Sequence, residues 1–126
     1  MAKTTKTDFR EFETWIRYYE RKFGLMDWNI DVKHEDLSRT KHADAIAWCY
    51  PNMDNKFCCI RLNKTLPNAA DIKVSMRRVA LHEIIHVILD PLYDVAWARF
   101  LDELQLKQKN EQVATHLSNI IESLES

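Results

Sequence analysis

Two histidines and a glutamate near the middle of the chain have the types and the spacing of a metal site. Residues 82–86 read His-Glu-Ile-Ile-His. In an α-helix, residues four apart lie on the same face, about one turn from each other. His82 and His86 can therefore direct two imidazoles at one zinc ion, which binds nitrogen at about 2.0–2.1 Å. Glu83 lies roughly 100° around the helix from His82, where its carboxylate can reach a water on that ion.

The residues around this pattern indicate a buried helix. All remaining residues from Val79 to Leu89 are Val, Ala, Leu or Ile. A helix that is apolar on nearly every side is usually buried. Burying two histidines and a glutamate is unfavourable unless they have partners, and a shared metal ion is such a partner. The alternative is a core helix whose histidines bond to each other or to the backbone.

His-Glu-x-x-His on a helix is the zinc signature of metalloproteases. We therefore expect hydrolysis of a peptide bond, in which zinc lowers the pKa of its water and polarises the scissile carbonyl. Glu83 is the expected general base, which takes the proton of the water and delivers it to the leaving amine. Asp90, four residues after His86, is a candidate partner for the free ring nitrogen of His86. Three residues are candidates for stabilising the oxyanion: Tyr93, Arg99 and His116.

Catalytic zinc usually takes three protein ligands, so a third ligand must come from another part of the chain. The metzincin pattern would place glycine and histidine where this chain has Leu89 and Leu92. A carboxylate on a later helix is the other solution, and Glu111 is the predicted third ligand. Glu111 could instead be an acidic residue in the first turn of a helix, where the helix dipole favours it. Three competing ligands stay open: Asp94, Glu103 and His116.

Length and composition are those of one soluble globular domain. The chain has 126 residues, 46% of them hydrophobic and 29% charged, so residues 1–126 are predicted to form a single domain. The net charge is -1 and the longest basic run is Arg77-Arg78, which argues against a nucleic-acid surface. No apolar run approaches the roughly 20 residues of a membrane span. Residues 1–8 lack the apolar core of a signal peptide.

We therefore expect a cytoplasmic protein without a nucleic-acid or membrane partner, and the sequence leaves its oligomeric state open. The three cysteines, Cys49, Cys58 and Cys59, fit a reducing compartment, because their number is odd and none forms a Cys-x-x-Cys pair. They are expected to be small buried side chains.

The elements before the signature are predicted to be one helix and a small sheet. The helix covers residues 8–23, with Thr5 at its start and the single glycine, Gly24, at its end. Three strands are predicted from alternating apolar residues, and the last two form a hairpin around a turn at 51–55. These strands cover residues 28–32, 43–50 and 57–62. His34 and His42 are expected to be solvated.

The signature helix is predicted over residues 69–90, where Pro91 stops it. A weaker helix is predicted at 94–106 and a last helix from Asn110 or Glu111 onward, with an apolar stripe for the core. The predicted fold class is α+β, with an N-terminal helix, a three-stranded sheet, the active-site helix and C-terminal helices.

The signature and residues 110–115, Asn-Glu-Gln-Val-Ala-Thr, together resemble a small gluzincin, a zinc metallopeptidase whose third ligand is a glutamate on a downstream helix. The opening strand, with Leu25, Trp28, Ile30 and Val32, is similar to minimal gluzincins and to the ImmA/IrrE type found in phages and mobile elements. The resemblance implies a zincin-like minimal metallopeptidase fold and a peptide or protein substrate. It also implies that the strand over 57–62 pairs with an extended peptide.

A function of another class fits the same residues. A zincin-fold binding or regulatory module could hold zinc without useful turnover, and a purely structural domain could hold no metal. Cleavage of an unfolded protein that is lost with a chelator and regained with zinc distinguishes the enzyme from both alternatives.

Overall fold

Three helices and a small mixed sheet make up the computed structural model, which describes residues 2–52, 54–68, 73–97 and 103–125. Within these ranges, the side chains of residues 91–97, 103–106, 109, 113, 116, 120 and 123 lie outside the described part. The α+β class predicted from the sequence is confirmed. The elements in chain order are α1 (Lys6–Lys22), β1 (Asn29–Glu35), β2 (Ala47–Asn52), β3 (Phe57–Asn63), α2 (Met76–Trp97) and α3 (Glu103–Glu125).

Helix α1 has the start and the end that the sequence predicts. Thr5 Oγ1 accepts a hydrogen bond from the backbone N–H of Asp8, and Asp8 Oδ2 accepts one from the N–H of Thr5, which satisfies two donors of the first turn. Gly24 follows the helix with a φ of 71°, a conformation that suits glycine. Three large side chains on the core-facing side of α1 are fully buried: Phe12, Ile16 and Tyr19.

The three strands are arranged in the order β1-β3-β2. Strands β2 and β3 pair antiparallel, as the predicted hairpin requires, and β1 pairs parallel with β3. Pro51 lies within β2 instead of in the predicted turn. An edge strand tolerates proline because one side of it needs no backbone hydrogen bonds. Because β3 is the central strand and both of its edges are paired, the expectation that it pairs with a peptide substrate is wrong. Strand β3 is central because it also pairs in parallel with β1, and local sequence patterns do not specify such a pairing.

Helix α2 is the centre of the core. It packs against α1, α3 and β2. Most of the apolar side chains in residues 79–89 are buried, as their composition predicts, although Ile88 is 42% exposed. Leu81 and Ile84 are fully buried and belong to the same hydrophobic core as Ile60 and Leu62 of the sheet. The His-Glu-x-x-His motif therefore lies in a part of α2 that is mostly buried, over residues 79–87.

The boundaries of α2 and α3 differ from the predicted ones. Helix α2 begins at Met76 and continues through Pro91 to Trp97, so the proline does not end it; the predicted start at 69 lies outside the described residues. Helix α3 begins at Glu103 and runs unbroken through residues 107–110, where a break was predicted. Those residues are Lys-Gln-Lys-Asn, and lysine and glutamine are good helix formers despite their polarity.

The two histidines outside the signature are not simply solvated. His34 is half-buried and stacks on Phe9 with 5.2 Å between ring centroids, and its Nε2 lies 2.7 Å from Thr4 Oγ1. His42 stacks on Trp48 at 4.3 Å. Neither contact follows from local spacing, because the partners are distant in sequence or lie across a loop.

The three cysteines lie on strands, Cys49 on β2 and Cys58 and Cys59 on β3. All three are free; Cys58 is fully buried, whereas Cys49 and Cys59 are partly exposed. The sulfur atoms of Cys49 and Cys58 lie 3.3 Å apart. Burial raises the pKa of the Cys49 thiol, which keeps it in the protonated form at neutral pH.

None of the helices in the described ranges is long and apolar enough to cross a membrane.

Candidate metal centre

Helix α2 places the two signature histidines together, as their spacing predicts. The Nε2 atoms of His82 and His86 lie 3.2 Å apart. Both rings are largely buried, with 24% and 13% of their side chains exposed. Two imidazole nitrogens therefore point at the same place from one helix face.

Helix α3 brings the Glu111 carboxylate next to the Nε2 atoms of His82 and His86. Glu111 Oε2 lies 3.0 Å from His82 Nε2, and Oε1 lies 2.9 Å from His86 Nε2. Glu111 is well inside α3, eight residues after its first residue. The alternative role for Glu111, an acidic residue in the first turn of a helix, is therefore wrong, because that turn lies at Glu103.

The three side chains fit a zinc ion. Among the described residues, His82, His86 and Glu111 form a group whose ligand atoms all lie within 4.8 Å of one another. Tetrahedral ligands at about 2.0–2.1 Å from zinc stand ~3.3 Å from each other. The distances of 2.9, 3.0 and 3.2 Å between the ligand atoms are close to that spacing. Two imidazoles and one carboxylate are also the donor set of many catalytic zinc sites.

The charges at this centre stabilise one another. The hydrogen bonds from His82 and His86 hold the pKa of the Glu111 carboxyl well below its usual range, although its partial burial opposes this. Burial acts to lower the pKa of His86, but the carboxylates of Glu111 and Glu83 outweigh it and raise the pKa above the usual value. Since a histidine must be neutral to bind a metal, protons compete with a metal ion at this centre.

The second ring nitrogen of His86 has a partner that the sequence did not suggest. His86 Nδ1 contacts Asn110 Oδ1, and the amide oxygen accepts the hydrogen bond. This bond keeps the proton on Nδ1 and leaves the lone pair of Nε2 directed at the metal position. The predicted partner was Asp90, a buried residue of α2. The only sequence signal for Asn110 is its position next to Glu111 on α3.

Glu83 is buried beside the histidines, with 6% of its surface exposed. Burial raises the pKa of its carboxyl, while the neighbouring His86 and His82 act in the opposite direction. A carboxylate with a raised pKa is a stronger base, which suits a group that takes and returns a proton near neutral pH.

The centre lies in a cleft of about 770 Å³. Residues 44–47 line one side, and side chains of α2 and α3 line the other, including His82, Glu83 and Glu111. A cleft of this volume is within the usual range of ligand-binding sites. The side chains of four other candidates, Tyr93, Asp94, Glu103 and His116, lie outside the described part, as does Arg99.

Comparisons with protein-family models, curated proteins and solved structures found no match to this chain. The resemblance to gluzincins therefore depends on the residues of the motif and on their order along the chain. The geometry of His82, His86 and Glu111 is an independent observation, because it requires two helices to meet in space.

Proposed function

We propose that the protein is a zinc-dependent metallopeptidase that hydrolyses peptide bonds of a peptide or protein substrate. The observation that carries this proposal is the convergence of His82, His86 and Glu111, with Glu83 buried beside them in a substrate-sized cleft. A structural zinc site usually presents four protein ligands, whereas three ligands leave a position for water or substrate. The described residues supply three.

In the proposed mechanism, Glu83 moves the proton. When bound, zinc supplies a Lewis acid that polarises the scissile carbonyl and makes water a better nucleophile. The Glu83 carboxylate takes one proton from the attacking water as the oxygen of that water bonds to the carbonyl carbon. The protonated Glu83 then gives that proton to the amide nitrogen as the C–N bond breaks, so the carboxylate is restored.

The proposed fold assignment is a zincin-like, minimal gluzincin domain, similar to the ImmA/IrrE type found in phages and mobile elements.

 The order of elements supports this assignment: a small sheet precedes the helix that carries His82 and His86, and the helix that carries Glu111 follows. The strand beside the cleft is β2, an edge strand whose preceding residues, 44–46, also line the cleft. We therefore propose that an extended peptide pairs with the free edge of β2, in place of the β3 pairing that the resemblance implied.

The test uses an unfolded protein substrate and the purified protein in three states: as prepared, treated with a chelator, and reloaded with zinc. We expect cleavage that disappears with the chelator and returns with zinc. Glu83→Gln should keep its zinc and lose about 10²- to 10⁴-fold in kcat, because glutamine cannot accept the proton. The matched control is Glu11→Gln, which removes a carboxylate from the exposed side of α1.

Two results would contradict the proposal. Full proteolysis by zinc-loaded Glu83→Gln would remove the general-base role. A zinc-loaded wild-type protein that cleaves no substrate would favour the binding or regulatory module, and a protein that binds no zinc would favour the metal-free domain.

A further inference from the structure

One side of the cleft carries a positive charge, which comes from Arg78. This residue lies on α2 four positions before His82, so both side chains project from the same face, one turn apart. Both line the cleft. Of the described cleft-lining residues, Arg78 is the only lysine or arginine, and 45% of its side chain is exposed.

Contacts with α3 hold the Arg78 side chain in place without neutralising it. Arg78 Nη2 donates a hydrogen bond to Asn119 Oδ1. The ion pair with Glu122 is long, at 3.8 Å, and Glu122 Oε2 has no hydrogen-bond partner among the described residues, so the pair leaves donors of the guanidinium available. A guanidinium has five N–H donors in a planar fork, and the Asn119 bond uses one of them. The remaining donors suit a second, planar anionic group.

We propose that Arg78 binds a carboxylate of the substrate, an inference that rests on the metallopeptidase function proposed above. Four residues of α-helix separate Arg78 from His82 by ~6 Å along the axis. Two residues of extended peptide span ~6.6 Å. The carboxylate therefore belongs to a residue one or two positions from the scissile bond, where a bidentate pair with the guanidinium can form.

Two substrate groups carry this chemistry, namely an Asp or Glu side chain and the carboxylate at a peptide C-terminus. Peptides with blocked ends and Glu, Gln or Lys placed one or two residues from the cleavage site test the first source. The Gln peptide with a free C-terminal carboxylate at the same distance tests the second. We expect the wild type to cleave at least one carboxylate-bearing peptide with a kcat/KM about tenfold or more above that of the blocked Gln peptide, as a charge-assisted hydrogen bond implies.

Substitution of Arg78 should remove this preference. In Arg78→Gln, the ratio of kcat/KM values for the preferred carboxylate-bearing peptide and the blocked Gln peptide should fall to about one, and Arg78→Lys should keep only part of the preference because its ammonium lacks the fork. The control Arg10→Gln removes the same charge from the exposed side of α1 and should leave the ratio unchanged. Circular dichroism identifies any variant that fails to fold, and Arg78→Lys then provides the comparison.

A binding measurement separates failure of this inference from failure of the proposed function. Labelled forms of the same peptides are titrated with the zinc-loaded protein carrying Glu83→Gln, with and without Arg78→Gln, and followed by fluorescence anisotropy. Binding that prefers a carboxylate and depends on Arg78, without cleavage by the wild type, would support the role of Arg78 and contradict the metallopeptidase. Cleavage without a carboxylate preference, or a preference that survives Arg78→Gln, would overturn the inference alone. Neither binding nor cleavage would overturn both.

Discussion

His86 uses its two ring nitrogens for different contacts. Nε2 faces His82 and Glu111, and Nδ1 faces the side-chain oxygen of Asn110. Asn110 and Glu111 are adjacent on α3, so a single turn of that helix provides both a candidate metal ligand and the group that orients a second candidate ligand. The position of α3 along α2 therefore affects the candidate metal centre in two ways.

Replacing Asn110 should weaken metal binding without removing a ligand. We expect Asn110→Ala to lower the zinc affinity by about 10- to 100-fold, because His86 loses the bond that fixes its ring and its tautomer. Competition with a chromophoric chelator measures this affinity. The control is Gln108→Ala on the exposed part of the same helix. An unchanged affinity in Asn110→Ala would show that the His86–Asn110 contact has no role in metal binding.

The arrangement of residues that lie close together in the sequence could be predicted from it. The spacing of His82 and His86 places them on one helix face, and the signature assigns Glu83 a role beside them. Glu111 was reached by eliminating other ligand patterns and by resemblance. Asn110 was missed because its contact with His86 joins two helices, and no local pattern encodes that distance.

At the scale of the elements, one acidic side chain near the end of α3 joins the three helices. Glu125 Oε2 lies 2.7 Å from Arg77 Nη2 on α2 and 3.3 Å from Lys22 Nζ on α1. Arg77 also donates from Nε to the hydroxyl of Tyr19 at 2.9 Å. With only 12% of its side chain exposed, Glu125 is well shielded from water. This network holds the far end of α3 against α1 and α2.

We expect Glu125→Gln to reduce the free energy of unfolding by about 1–3 kcal/mol, because Arg77 and Lys22 lose the largely buried carboxylate that they share. Urea denaturation followed by circular dichroism measures the change. The control is Glu11→Gln, which removes an exposed carboxylate from α1, so its effect should stay within about 0.5 kcal/mol. Equal effects of the two substitutions would contradict the structural role of the Glu125 network.

The contact between the N-terminal segment and β1 should depend on pH through His34. Burial, helped by the charge of Lys64, lowers the pKa of His34 in the folded protein. Folding therefore favours the neutral ring, and this contribution is complete above the unfolded pKa of about 6.5 and is lost as the pH falls through the folded pKa. The free energy of unfolding of the wild type should consequently decrease on acidification below pH ~6.5 more steeply than that of His34→Gln. Parallel pH profiles of the two proteins would contradict this.

Element types were easier to predict from the sequence than their boundaries and order. Helix α1 was found nearly in full because Thr5, Asp8 and Gly24 mark its ends through local chemistry. Helix α2 was predicted to stop at Pro91, but it continues, since tertiary packing can outweigh the propensity of one residue. The central place of β3 was missed because it results from a parallel pairing between strands far apart in the chain.

At the scale of the whole molecule, the proposed metal centre couples the active-site helix to the C-terminal helix. Two ligands lie on α2 and one lies on α3, so a bound ion would join helices that also pack through their side chains. The sheet has a more indirect role, because Ala47 at the start of β2 and residues 44–46 before it also line the cleft. The proposed centre is thus complete only if Glu111 contributes its ligand from a separate element.

The most direct test is the zinc content of the purified wild type, Glu111→Ala and Glu103→Ala, measured by elemental analysis after dialysis without chelators. We expect equimolar zinc in the wild type and in Glu103→Ala, and a large loss in Glu111→Ala, because two imidazoles alone hold the ion weakly. Circular dichroism confirms that each variant is folded. Full zinc retention in folded Glu111→Ala would contradict the assignment of the third ligand, and absence of zinc from the wild type after incubation with the metal would contradict the metal centre itself.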